Sequence, residues 1–483
     1  MESKYGYLKK ENRKNILLLC DDIRMHSGIA TMAREIVMGT VQHCNWFQLG
    51  AAIKHPDHGK VLDLSADMAK RTGVEDADVK VMPFNGYGDA ATLRNLIKFH
   101  KPDGIMIFTD PRYWSWLFDI EREIRKTTPI LYLNIWDDYP APLYNKDYYN
   151  SCDLLMGISK QTVNINKLVL EEAAEDKVIK YVPHGINKES FFKINKDYEF
   201  YDKFTAFKKN VFKQSDKDIE YTVFFNSRNI RRKSVSDLIA GYRVFCDSIG
   251  KEKAKKCALV LHTQPKDQNG TDLMAVKEAL CDPEYVNVYF SAQKLSTEQM
   301  NWMYNLADLT VLPSSNEGWG LSLTESMMAE TMIAANVTGG MQDQMRFTDN
   351  EGKWIEFDKD FPSNHRGTYK NHGEWALPIF PSNISVVGSI PTPYIFDDRC
   401  SFDDIAATIE ESYKLTPEER AAKGASGRAF ATSDEAMMSG KNMCKNIIDS
   451  IDETFDTFTP RSRFDLTKIE DLKPKYVKHK LVY

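Results

Sequence analysis

Short runs of consecutive apolar residues alternate along the chain with stretches whose apolar positions recur every three to four residues. The runs predict strands over 15–20, 104–108, 130–135, 154–157 and 178–182, and the spaced stretches predict helices over 29–37, 90–99 and 116–126. A strand apolar on every position is covered on both faces, so this β-α alternation argues for a doubly wound parallel sheet. The segment Pro183-His184-Gly185-Ile186-Asn187 closes that half. Residues 188–220 are charged and aromatic-rich, with no assignable period. A second run follows: strand 222–225, helix 236–246, strand 258–262, helix 271–279, strand 286–290, strand 309–313 and a helix over 326–330. From about 349 to 399 the rhythm breaks in a stretch rich in Pro, Gly, Trp and Phe, and so long a break inside a compact domain is usually functional. Phe402 opens a further helix.

Length and charge narrow this picture. The chain has 483 residues, and single cores stop growing near ~250–300 residues, so two domains are expected. We expect boundaries at 1–185 and 186–455, an insertion near 349–399 and a C-terminal arm over 456–483. A net charge of −6 gives no global field for nucleic acid or anionic lipid. The first ten residues hold no apolar signal core, and no window approaches ~18 uninterrupted apolar residues. Eight scattered cysteines without a C-x-x-C pair suggest reduced thiols in a cytoplasmic setting, and no metal-binding box is visible.

The most informative stretch is Asn316-Glu317-Gly318-Trp319-Gly320-Leu321-Ser322-Leu323-Thr324-Glu325. It lies between a predicted strand and a predicted helix, where orphan backbone N–H groups and the helix dipole favour an anion. Seven residues separate Glu317 from Glu325. This Glu-x7-Glu order resembles the retaining, nucleotide-sugar-dependent glycosyltransferases of family four. Tyr304 to Asp308 ahead of it and the Gly339-Gly340 turn after it resemble the same family. The resemblance implies a GT-B fold, α/β, with two Rossmann-like doubly wound domains facing a cleft.

Site residues follow from the resemblance. Glu317 is expected to contact the donor sugar and Glu325 the ribose diol, while the amides of Gly320, Leu321 and Ser322 point at the distal phosphate and Gly318 also lies on the donor side. A carboxylate accepts from both hydroxyls of a diol, which suits glutamate at both places. In Asn226-Ser227-Arg228-Asn229-Ile230-Arg231-Arg232-Lys233, Arg228 and Lys233 match the family's Arg and the Lys five residues later. These cations are expected to clamp the diphosphate, where fixed positive groups stabilise the leaving group's growing charge. Without that context the same residues read as a solvated basic loop. Trp319 reads as packing, and His184 as structural.

In the first domain, His26-Ser27-Gly28-Ile29 resembles the family's glycine turn, with Gly28 beside the donor and Ser27 replacing one glycine. The family histidine at the end of the 130–135 strand is missing. Asp137 or Asp138 is expected to take over its contact, Asp137 as the catalytic-side candidate and Asp138 facing the acceptor; the bland alternative is a strand-end turn. Asp110 ends another strand at the same sheet edge and is a further acceptor-side candidate. No cofactor is expected beyond the nucleoside diphosphate sugar as co-substrate, and no metal. The acceptor is open: a small sugar, glycan or protein, or DNA. The last possibility comes from a likeness of the insertion to phage-encoded members that glycosylate hydroxymethylated bases, with Lys208, Lys209, Lys213, Lys217, Arg231 and Arg232 as a phosphate track. A sugar-nucleotide epimerase or a non-catalytic nucleotide-sugar-binding protein also remains open.

Overall fold

The computed structural model describes residues 6–212 and 218–462. Its frame is two sheets. In the first, β1 (Lys14–Asp21), β2 (Cys44–Ala51), β3 (Leu62–Asp63), β4 (Val79–Pro83), β5 (Gly104–Phe108), β6 (Ile130–Asn134), β7 (Leu154–Gly157) and β8 (Val178–Tyr181) lie in the order β3-β4-β2-β1-β5-β6-β7-β8. All pairings are parallel except the short edge strand β3. In the second sheet, β9 (Tyr221–Asn226), β10 (Cys257–His262), β11 (Val288–Phe290), β12 (Leu309–Leu312), β13 (Met332–Asn336) and β14 (Ala376–Ile379) run parallel in the order β11-β10-β9-β12-β13-β14.

Both faces of each sheet are covered, which is why the strands read as unbroken apolar runs. Ile16, Leu18 and Cys20 of β1 belong to one core, and Leu17 and Leu19, pointing the other way, belong to a second. In both sheets the winding reverses beside the first strand, between β1 and β5 and between β9 and β12. Open parallel sheets bind ligands outside the C-terminal ends of strands at such a reversal. The loops after these four strands hold the expected site residues Gly28, Asp110, Arg228, Lys233 and Glu317.

Several expectations need correction. The 116–126 helix is two short ones, Ser115–Asp119 and Glu121–Ile124. The signature helix starts earlier than 326, at Leu321, and ends at Met328, so Glu325 lies within it. The 349–399 break is not structureless: β14 completes the second sheet, and β15 (Asn383–Ser389) pairs antiparallel with β16 (Thr392–Arg399) in a hairpin. The helix Gly440–Thr457, assigned by sequence to the second domain, packs on the first. It lies against β7, β8 and the helix Gly28–Thr40, with His43 to Asp452 at 3.1 Å and Lys180 to Glu453 at 2.7 Å.

The linker is locked to the start of that helix. Ile186 bridges Ser439, and a methyl group on Gly185 would stand 2.3 Å from the Ser439 carbonyl oxygen, a contact only glycine permits. Of the expected arm, residues 463–483 lie outside the described residues, as do Lys213 and Lys217. Arg461 donates its backbone N–H to the Arg125 carbonyl at 2.8 Å, so the chain still follows the first domain at that point.

Candidate active site

The turn after β9 closes with a one-turn helix, Arg231–Lys233, from which Arg232 and Lys233 both reach Glu317. The Lys233 side chain is 8% exposed and in direct ionic contact with the Glu317 carboxylate, itself 12% exposed. Arg232 joins them: its Nη1 donates to the Asn316 carbonyl at 2.6 Å and lies 3.4 Å from Glu317 Oε2. Burial, with Arg232 nearby, pulls the Lys233 ammonium well below its ordinary pKa, and Asp137 opposes the shift. The adjoining Glu317 carboxylate is the partner that favours the charged form.

The signature turn is held from behind by close backbone packing. Gly340 N–H donates to the Glu317 carbonyl at 3.0 Å. Gly339 has φ +54°, and a methyl on it would stand 2.1 Å from that same carbonyl oxygen. The Gly-Gly turn therefore fits under the signature because neither residue has a side chain. Gly320 then takes the left-handed conformation, φ 85°, and starts the helix Leu321–Met328, whose first turn no side chain caps. Trp319 is buried, and its Nε1 donates to Thr324 Oγ1 at 2.9 Å. His184 is buried between Phe108 and Trp319, and burial holds it neutral with a pKa lowered to about 3, in keeping with a structural role.

Glu325 sits one helical turn farther in. Tyr304 donates its hydroxyl to Glu325 and accepts from Asn226 Nδ2 at 2.9 Å. Burial raises the Glu325 pKa to about 7, against the lowering effect of the Tyr304 bond.

The first domain meets this turn closely. Gly28 lies against Leu321, since a methyl on it would be 3.6 Å from Leu321 Cδ1, and the Gly318 backbone packs on the Ile135 carbonyl. Ser27, where the resemblance expects glycine, caps the helix Gly28–Thr40 by accepting from Ala30 N–H at 3.1 Å. Asp137 faces Arg232 Nη1 at 3.8 Å. Asp138 is buried, and burial followed by the neighbouring Asp137 pushes its pKa well above the carboxylate range. A second carboxyl so close disfavours the charged form of the buried one. The hairpin strand β16 ties both sides together. Phe396 N–H donates to the Tyr139 carbonyl at 2.7 Å, and Asp398 N–H donates to the Ser315 carbonyl at 3.0 Å. Buried Asp397 accepts from Asn316 Nδ2 at 2.9 Å and Ser315 Oγ at 3.2 Å.

Comparison with known proteins agrees with this architecture. Residues 208–360 match the family model of glycosyl transferases group 1. No curated protein matches the chain in sequence. Among solved structures, sucrose-phosphate synthase from Thermosynechococcus elongatus superposes with a TM-score of 0.62 at 14% identity, over 92% of this chain and 100% of that one. Anabaena HepE in complex with UDP and glucose gives 0.60 at 12% identity, over 91% and 100%. An E. coli trehalose-6-phosphate protein bound with UDP-2-fluoro glucose gives 0.58 at 12%, over 93% and 100%.

The chain has the GT-B fold.

Within the GT-B cleft the expected residues divide. Lys233, Glu317, Asp137 and the start of the signature helix converge. Arg228 stands apart from that contact: its side chain is 63% exposed and forks onto Asp267, with Nε at 2.7 Å and Nη2 at 3.1 Å. Asp110 is engaged by Arg112, accepting from its backbone N–H at 3.0 Å and from its side chain, while Arg112 also reaches the hairpin at Pro391 and Thr392. Arg232, which the sequence placed only in a basic run, belongs to the site. Its adjacency to Lys233 was the available signal. Asp397 and Tyr304 were missed as site residues, because their approach to residues 315–325 is tertiary. The stretch that matches glycosyl transferases group 1, residues 208–360, includes both the 226–233 turn and the signature helix. Among the described residues, no helix is long and apolar enough to cross a membrane.

Proposed function

We propose that this protein transfers a sugar from a nucleoside diphosphate sugar to an acceptor hydroxyl, with retention at the anomeric carbon. The observation that carries the proposal is the contact of Lys233 and Arg232 with Glu317 at the winding reversal of the second sheet, beside an uncapped helix start and facing Asp137 across the cleft. The diphosphate lies at the first turn of the helix Leu321–Met328, with the cations of the 226–233 turn beside it. As the glycosidic bond breaks, its growing negative charge meets donors that are already fixed. Glu317 holds the sugar hydroxyls and exchanges its ion pair for them as the donor enters. Glu325, when ionised, accepts from the ribose diol. The cations and helix amides supply the positive field that a divalent metal would otherwise provide. Asp137, next to buried Asp138, lines the sugar-facing side of the first domain. The acceptor is a small sugar, glycan or protein hydroxyl.

The decisive experiment is a donor-hydrolysis screen with UDP-, GDP- and ADP-sugars, beginning with UDP-glucose because HepE was solved with UDP and glucose and the E. coli trehalose-6-phosphate protein with UDP-2-fluoro glucose. Product analysis by NMR then reads the anomeric configuration. Glu317→Ala is expected to abolish turnover while the circular dichroism stays that of the native chain. Near-normal turnover in that variant would refute the site assignment.

A further inference from the structure

At the C-terminal ends of β2 and β4, on the same sheet edge as Asp110 and Asp137, is a hollow of about 580 Å³ lined by Lys54, His55, His58, Phe84 and Asn85. Its walls are two loops zipped by backbone hydrogen bonds: Phe84 N–H to the Gly50 carbonyl at 2.7 Å, Ala52 N–H to Gly86 at 2.9 Å and Gly59 N–H to Pro83 at 2.9 Å. Ala52 holds a left-handed φ of 60° at the bend.

Both histidines are oriented by the backbone. His55 Nδ1 accepts from Asp57 N–H at 3.1 Å, and His58 Nδ1 accepts from Asn85 N–H at 3.1 Å. An imidazole whose Nδ1 accepts an amide proton carries its own proton on Nε2, so each ring keeps a donor for something else. The His58 ring leans on Phe84, with centroids 4.6 Å apart. Lys54 adds a cation. Asp57 sits on the Nδ1 side of His55, its Oδ2 3.8 Å from that nitrogen, and its Oδ1 accepts from Lys60 Nζ at 3.1 Å; it does not line the hollow. The lining thus offers a cation and two oriented ring donors, with no carboxylate among its residues.

We propose that this hollow binds the oxyanion of an acidic acceptor, a phosphoryl or carboxylate group, and so selects anionic acceptors for the cleft. The assignment to an acceptor rests on the glycosyltransferase reading above; the anion site itself does not. Charge-assisted hydrogen bonds from Lys54 and the two Nε2–H donors hold the oxyanion. Phe84 lets the ligand's apolar part lie against a ring.

The test is titration of the full chain with inorganic phosphate and, separately, with acetate. Phosphate binding is followed by ³¹P line broadening and acetate binding by ¹³C line broadening. Saturable binding of one or both is expected, and which one binds identifies the group. Lys54→Ala/His58→Ala should weaken the dissociation constant at least tenfold, and the exposed single change Lys54→Ala should weaken it measurably without any question of folding. UDP binding should be the same in all three proteins. Binding that is unchanged in the double variant, or absent in the native chain, overturns the site. A failed donor screen with intact oxyanion binding would instead overturn only the glycosyltransferase reading.

Discussion

The two ends of the turn after β9 were expected to do one job, and they are built in opposite ways. At its far end Lys233 is buried, pressed on Glu317 and backed by Arg232. At its near end Arg228 is exposed and forked onto Asp267. A buried cation is held by its surroundings and is costly to remove. An exposed Arg–Asp pair contributes little to stability, and its long side chain is free to change partner. Spacing along the sequence matched both residues to a phosphate clamp, yet their environments separate a fixed element from a movable one. In the proposed reaction Lys233 is preset, and Arg228 exchanges Asp267 for the diphosphate when donor arrives.

The contrast is most directly broken at Lys233. Lys233→Ala leaves the Glu317 carboxylate without its closest partner. It should cost about 3–5 kcal/mol of stability by urea unfolding and lower donor turnover by about 10²–10³-fold. Retained turnover would remove Lys233 from the clamp. Arg228→Ala should change stability by less than about 1 kcal/mol while weakening nucleoside diphosphate binding about ten- to a hundredfold. Calorimetry with the diphosphate and the bare nucleoside reads this, and equal loss for both would refute the proposed swing.

Glu325 sharpens the comparison through pH. Its carboxyl titrates near 7 in the folded chain, above the ordinary value of 4.5. The folded state therefore holds this proton more tightly than the unfolded one. Its contribution to stability is full below about 4.5 and is lost as pH rises through about 7. Donor affinity should move the other way, rising through pH 7 as the carboxylate forms. Tyr304→Phe removes a bond that favours the ionised form and should move the midpoint up by about one unit. A pH profile of donor kcat/KM on both proteins measures it, and an unmoved midpoint would take Glu325 out of nucleoside binding. The smallest effect is expected from Asp267→Asn, which loosens Arg228 and should tighten diphosphate binding severalfold.

Part of this molecule was readable in advance. The strands at 104–108 and 154–157 were legible to the residue, because a strand covered on both faces needs apolar side chains at every position. β2 was not: Cys44–Ala51 includes Asn45 and Gln48, which look like surface residues. Gln48 is nonetheless buried, since its amide donates to the Asp21 carbonyl at 2.8 Å and accepts from Ile23 N–H at 3.1 Å. A polar residue satisfied inside the fold has no local signature. The hairpin was illegible for a related reason, because its anchors Tyr139 and Ser315 come from other loops.

By itself the sequence determined the alternation of elements, the place of the signature turn and the presence of cations beside it. These depend on local periodicity, on glycines where the backbone must turn or pass closely, and on residue type. Tertiary structure alone decided that Arg232 joins the site, that Arg228 turns to Asp267, that Asp397 of the hairpin braces the signature, and that the last described helix returns to the first domain. A side chain's partner depends on which distant segments the sheets bring to a common edge, and neighbours along the chain carry no record of that.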